Sequence, residues 1–159
     1  MPRIAPTPLA PDGNAVSNSL LARVMGRSPE ILRAFGRLDG TIRFHGKLPG
    51  ELKEAVRRAT AGEVGCEYCR SLGAPRTDLD PRESLAVAFA QAVAQDPAGI
   101  TDAQFAVLQE EFDEAEIVEL VAFICLVAIA GQMFGAVMGL EAAGAQEAEA
   151  YQQVLEAHG

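Results

Sequence analysis

Tryptophan is absent from this 159-residue chain, tyrosine occurs twice, and only 6% of the residues are aromatic. Against that scarcity Ala, Leu, Val and Glu are abundant, a balance that favours helices and argues against an all-β fold. Cysteine is also rare, at three residues. Neither a metal nor a disulfide framework is needed for folding, because a chain of this length with 49% hydrophobic residues buries roughly two thirds of its unfolded surface as one globular domain.

Basic charge is short in number and confined in place. Thirteen Lys and Arg face 22 Asp and Glu, so the net charge of −9 offers no cationic surplus for phosphate, and nucleic acid is set aside as a partner. Every Lys and Arg lies between Arg3 and Arg82. Residues 1 to 82 carry +4 and residues 83 to 159 carry −13, an asymmetry able to steer packing within or between subunits, although most of these acids read as solvated helix faces.

The N-terminus has no apolar run of signal-peptide length, because Pro2, Pro6, Pro8 and Pro11 interrupt it, and a cytoplasmic location is expected. Leu120 to Leu140 is a 21-residue stretch without a charge, long enough to span a bilayer. Its interior holds Gly131, Gln132, Gly135 and Gly139, and neither Tyr, Trp, Lys nor Arg anchors its ends. It reads as a helix buried on all sides, in the core or in an oligomer interface, and no membrane partner is expected.

Residues 1–14 read as an extended Pro-rich arm and residues 15–159 as one helical domain. Within it Ser17 to Met25 offers a short helix. Ser28-Pro29 starts a second, with Ile31, Leu32, Phe35, Leu38 and Ile42 on one face. Pro49 starts a third, with Leu52, Val56 and Ala59 inward and Glu51, Lys53, Arg57 and Arg58 mostly outward. Asp80 with Glu83, Thr101 with Gln104, and Asp113 with Glu116 are three capping-box signatures ahead of further helices, and Ala145 to Ala157 makes a last one. No stretch alternates as a half-buried strand would, so the expected fold is all-α, a bundle of about eight helices.

Cys66-Glu67-Tyr68-Cys69 is the constellation that stands clear of background. Two thiols three positions apart come within reach of each other where the motif opens a helix, and the helix N-terminus favours a thiolate. The pattern supports a dithiol/disulfide couple; the alternative is a pair of buried, inert cysteines. Zinc would need four ligands, and Cys125, His45 and His158 lie at spacings that match no structural site, so neither metal nor cofactor is expected. Cys125, amid Phe123, Ile124, Leu126 and Val127, reads as a small core hydrophobe. A lone loop His45 is usually solvated, though it could swing toward the thiols as a base.

From Pro29 to Leu140 the sequence resembles the carboxymuconolactone decarboxylase family, and specifically its alkylhydroperoxidase D-like branch. The resemblance rests on Glu54, twelve positions before Cys66, followed by Gly65-Cys66-Glu67-Tyr68-Cys69, and on the Glu116-Ile117-Val118-Glu119-Leu120-Val121 run. It implies an all-helical homo-oligomer whose dithiol reduces hydroperoxides or disulfides and takes electrons from a dihydrolipoyl-type or other thiol donor. Carried over by position, Cys69 is the peroxidatic thiol, Cys66 the resolving thiol, Glu54 the head of a proton relay, and Tyr68 stands where some members place a relay histidine. The family's histidine after the second cysteine falls on Gly73, which has no side chain to move a proton. That departure keeps a second reading open, a catalytically silent helical interaction or redox-sensing module. A lactone decarboxylase is a third, less favoured because that branch does not rest on a Cys-x-x-Cys couple.

Overall fold

Helix starts in this protein are fixed by short polar caps. In the computed structural model, which describes residues 1–14 and 16–158, Asp80, Thr101 and Asp113 each accept a hydrogen bond from the third helical N–H, while Glu83, Gln104 and Glu116 reach back to the cap. All three capping boxes read from the sequence are therefore closed. The elements are α1 (Leu20–Met25), α2 (Pro29–Phe44), α3 (Gly50–Val64), α4 (Glu67–Ser71), α5 (Pro81–Gln95), α6 (Asp102–Glu111), α7 (Glu114–Val137) and α8 (Ala145–Glu156), with one 3₁₀ turn at Pro97–Gly99. No strand occurs among the described residues. The expected boundary between arm and domain falls on Ala15, which lies outside them, as does Gly159.

The main core lies where α3, α5 and α7 meet. Leu52 and Val56 of α3 pack with Ala86, Phe89 and Ala90 of α5 and with Leu120, Phe123, Ile124 and Val127 of α7. Each large side chain buried there contributes about 1.5–3 kcal/mol by leaving water. A second, smaller cluster holds Val24, Ala61, Cys66, Tyr68, Cys69, Leu72 and Leu140. The dithiol is thus part of a packed cluster at the end of α7, away from the main core.

Residues 1–14 form no helix, yet they are fastened. Arg3 N–H donates to the Met138 carbonyl at 2.9 Å, Thr7 N–H to the Arg23 carbonyl at 3.0 Å, and Arg27 Nε to the Ala5 carbonyl at 2.8 Å. The segment runs along α1 and the C-terminal end of α7.

Of the two places expected to bury α7, the core and an oligomer interface, a single copy supplies only the first. The helix is long and apolar enough to cross a membrane, but one face sits in the core while Leu126, Met133 and Val137 are 50%, 54% and 61% exposed. Cys125 is exposed on this side, which corrects its reading as a core residue. Between Phe123 and Ile129 the helix is π-helical, with i→i+5 hydrogen bonds. The extra residue per turn rotates the following side chains relative to an α-helix, so a 3.6-residue wheel misplaces them. The apolar side of α2 is also partly open: Ile31 and Leu38, read on one face with Leu32, Phe35 and Ile42, are exposed.

Lys53 and Arg57, expected outside, are buried. Lys53 Nζ donates to the Ile42 and His45 carbonyls at 2.8 and 2.9 Å and pairs with Glu119 at 2.7 Å. Glu119 also accepts the Lys47 and Leu48 N–H groups. Charge is tolerated inside because the Lys53 ammonium meets two carbonyls and the Glu119 carboxylate, and Arg57 meets Glu54 and the Cys69 carbonyl. This knot ties the α2–α3 corner to α7.

Candidate functional site

Gly65 creates the approach to the cysteines. At φ +74° it takes the left-handed conformation that ends α3, and Cys66 N–H then closes back on the Ala61 carbonyl at 3.2 Å. Cys66 becomes the N-cap of α4, accepting the Cys69 N–H at 3.2 Å. The two sulfurs are joined as a disulfide across a Cα–Cα distance of 5.2 Å, so the site is seen in its oxidised state. The two cysteines differ in access: Cys66 is fully buried, and Cys69 is 6% exposed. Gly135 on α7 lies against them, where a Cβ would come within 2.7 Å of Cys66 Sγ and 3.5 Å of Cys69 Sγ.

Glu54 projects from α3 toward α4 and is buried. Arg57 grips its carboxylate through two hydrogen bonds of 2.7 and 2.8 Å, Arg58 Nε adds one at 2.7 Å, and the Tyr151 hydroxyl donates another at 2.9 Å. Burial works against ionisation here, but the bonds and charge of Arg57, then of Arg58 and Tyr151, hold the carboxyl below its usual value. Burial also keeps the Tyr151 phenol up at about 12. The link to the dithiol is Arg57, whose Nη1 donates to the Cys69 carbonyl at 2.9 Å. Glu54 therefore reaches the cysteines through Arg57.

Tyr68 is buried, and its hydroxyl donates to Glu147 of α8 at 2.5 Å. Burial, reinforced by the neighbouring carboxylate, pushes this phenol well above its ordinary value, so it is an O–H donor at neutral pH. At Gly73 the space a side chain would enter holds the Arg58 guanidinium: a Cβ would lie 2.8 Å from Arg58 Cζ. A histidine there would displace an arginine that serves Glu54. His45 is exposed and does not line the cavity described next.

Cys69 borders a partly open cavity of about 180 Å³ bounded by α1, α2, α3, α4, α7 and α8. Its walls are mainly apolar, with Phe35, Leu72, Val127 and Val154 among them, and Tyr68, Arg57 and Gln132 reach it. Cys66 does not line it. Among the described residues no group of three or more His, Cys, Asp or Glu side chains is arranged to hold a metal ion.

The four residues singled out in the sequence thus gather in one region: Cys66 and Cys69 bonded, Tyr68 between them, Glu54 one arginine away. Missing from that reading were Arg57, Tyr151, Glu147, Gln132 and Gly135. Gln132 had a signal, as a lone amide in a 21-residue uncharged run; Arg57 looked like any exposed helix base.

No sequence-family profile and no curated protein matches the chain. Solved structures do. A cysteine-to-alanine variant of the debrominase Bmp8 in complex with 2,3,4-tribromopyrrole superposes with a TM-score of 0.70 at 21% identity, over 89% of this chain and 87% of the other. An alkylhydroperoxidase AhpD core protein, an uncharacterized peroxidase-related protein from Ralstonia eutropha JMP134, gives 0.67 at 18% identity, over 80% and 77%. An uncharacterized peroxidase-related protein from Silicibacter sp. TM1040 gives 0.69 at 13% identity, over 84% and 81%. The chain has the alkylhydroperoxidase D-like fold, and its structural neighbours are AhpD-like peroxidase-related proteins and a debrominase.

Proposed function

We propose that this protein belongs to the alkylhydroperoxidase D-like branch and is a dithiol reductant, in which Cys69 attacks a small substrate in the adjoining cavity and Cys66 resolves the product. The observation that carries this reading is the asymmetry of the pair, since Cys69 lines the cavity and Cys66 is buried beside Gly135. With a hydroperoxide, the Cys69 thiolate takes the terminal oxygen, the O–O bond breaks, and the alcohol leaves with a proton. Cys69 is then a sulfenic acid. Attack by Cys66 forms the disulfide and releases water, and a dihydrolipoyl-type or other thiol donor restores both thiols.

Tyr68 supplies the proton for the departing alcohol, because it is protonated at neutral pH and borders the cavity. Glu54 holds Arg57 in place, and Arg57 fixes the Cys69 backbone. A second reading, reductive dehalogenation, is favoured by the debrominase neighbours and by the small apolar cavity. Its balance uses the same two thiols: carbon–halogen is replaced by carbon–hydrogen, halide leaves, and the disulfide forms. We further propose a soluble, cytoplasmic homo-oligomer in which a second copy covers the open face of α7.

The test is stopped-flow oxidation of the reduced protein by a small organic hydroperoxide, with bromide release from a brominated pyrrole measured in parallel. Cys69→Ser is expected to abolish both. Cys66→Ser is expected to consume one equivalent of peroxide and stop as the Cys69 sulfenic acid. Equal behaviour of the two variants would remove the assignment. A dithiol that reacts with neither substrate leaves the silent redox-sensing module as the description.

A further inference from the structure

α8 closes the site from one side and is held there chiefly by polar bonds. Glu147, Tyr151 and Val154 wall the cavity beside Cys69, while Gln152 and Leu155 wall a separate open groove of about 650 Å³. The helix is thus a partition between the two. None of its residues is buried, and among the described residues Tyr151 is its one side chain packed, partly buried, on a hydrophobic cluster.

The clasp has three points. Glu147 accepts the Tyr68 hydroxyl and the Leu20 N–H; the Tyr151 hydroxyl donates to Glu54 and accepts from Arg43 at 3.1 Å; Gln152 Nε2 donates to the Leu72 carbonyl at 2.6 Å and its Oε1 accepts from Arg58 at 2.9 Å. Water replaces such bonds when a helix lifts, so opening costs far less than exposing a core side chain. Elements with few buried apolar contacts open well below global unfolding, and lids are drawn from them. The joint is present too: Gly139 takes φ +64° where α7 ends, and Gly144, with open space around it, precedes α8.

The two halves of a dithiol cycle differ in the room they need. A cavity of about 150 Å³ admits a benzene ring, so one of about 180 Å³ holds a small substrate with α8 in place. Reduction of the disulfide is bulkier. A dithiol donor must attack Cys69 Sγ, because Cys66 is fully buried. The S–S bond breaks, Cys66 leaves as a thiolate and takes up a proton, and the donor stays on Cys69 as a mixed disulfide. The donor's second thiolate then attacks its own bound sulfur and frees Cys69, so the donor ends as a cyclic disulfide and the protein as a dithiol. Throughout, the donor's chain must share the space beside Cys69.

We propose that α8 is a hinged lid, turning on the Gly139–Gly144 segment, whose opening admits the thiol donor to Cys69, while small substrates enter with the lid docked. The proposal rests on the reading of Cys66 and Cys69 as a cycling pair.

The test pairs hydrogen exchange of the full-length oxidised protein with the rate at which its disulfide is reduced by dihydrolipoamide or by 2-mercaptoethanol. Amides of α8 are expected to exchange roughly a hundredfold sooner than those of α3 and α5. Gln152→Ala removes two clasp bonds and should speed α8 exchange roughly tenfold, with an equal gain in reduction by dihydrolipoamide. Gly144→Ala stiffens the joint and should slow both by about two- to fivefold. Reduction by 2-mercaptoethanol should follow neither change. Exchange of α8 in step with α3 and α5 would overturn the proposal, as would reduction by dihydrolipoamide that ignores both substitutions. Equal acceleration of the small thiol in Gln152→Ala would also overturn it, since that marks a general loosening of the site. If Gln152→Ala does not fold, Gly144→Ala decides, and unchanged reduction in it overturns the lid. Peroxide-driven closure of the reduced dithiol is measured separately and reports on the functional reading, so the two can fail independently.

Discussion

Glu54 accepts hydrogen bonds from three residues at once and is ionised because of them. Its folded pKa lies below the unfolded value of about 4.3. The unfolded chain thus takes up the proton first as pH falls, and the stabilisation is full above the unfolded value and lost as pH drops through the folded one. Glu54→Gln leaves Arg57 buried without its counter-charge, and urea denaturation at pH 7 should show a loss on the order of 3 kcal/mol. The variant should also lose part of the acid sensitivity of the unaltered protein. At Gly135 the expected effect is on redox balance. An alanine methyl would press on Cys66 Sγ, so Gly135→Ala should move the disulfide toward the dithiol in a glutathione buffer series. Gly62→Ala, with open space around the new methyl, should leave it unchanged.

The π-helical stretch Phe123–Ile129 is the element on which the site depends most. It sets the rotation of everything that follows in α7, including Gly131, Gln132 and Gly135. Removing one residue from an α-helical run turns the remainder by about 100°. Deletion of Ala130, just beyond the π stretch, should therefore leave the circular dichroism helical yet carry Gln132 and Gly135 away from α3 and α4. Loss of the dithiol's protection against alkylation would report it; a Cys66 that stays shielded would show that α7 does not register the site. This element also marks where the sequence stopped being readable. Capping boxes act within four residues and were legible at Asp80, Thr101 and Asp113. The side on which Leu126 or Cys125 emerges depends on the helical repeat and on what α3 and α5 leave uncovered. Lys53 and Arg57 escaped for a related reason: their burial depends on carbonyls and carboxylates contributed by α2, α4 and α7.

At the scale of the molecule, a single copy leaves apolar surface open on α7 and α2, with Val118, Leu126, Met133 and Val137 on one and Ile31 and Leu38 on the other. Large exposed apolar side chains on two helices are candidates for an interface. Sedimentation at micromolar concentration should report at least a dimer, and Leu126→Glu combined with Met133→Glu should yield monomer with an unchanged helical spectrum. A monomeric unaltered protein would remove the oligomer from the description. The all-helical architecture was readable because nearly every turn signal bounded a helix. The cavity was not, since it is assembled from residues of α1, α2, α3, α4, α7 and α8 that no local pattern connects.

The buried Lys53 has a practical corollary. The chain contains only two lysines, and the other, Lys47, is exposed on the corner that Lys53 fastens. An acylating reagent at near-neutral pH should label Lys47 and the terminal amine of the folded protein while sparing Lys53, whose ammonium is held by two carbonyls and Glu119. Labelling at Lys53 then proceeds only when the α2–α3 corner opens, so mass spectrometry of that one modification becomes a clock for local unfolding. Lys53 adjoins Glu54 in the chain, and a substrate that tightens the site should slow the clock without touching the labelled amine.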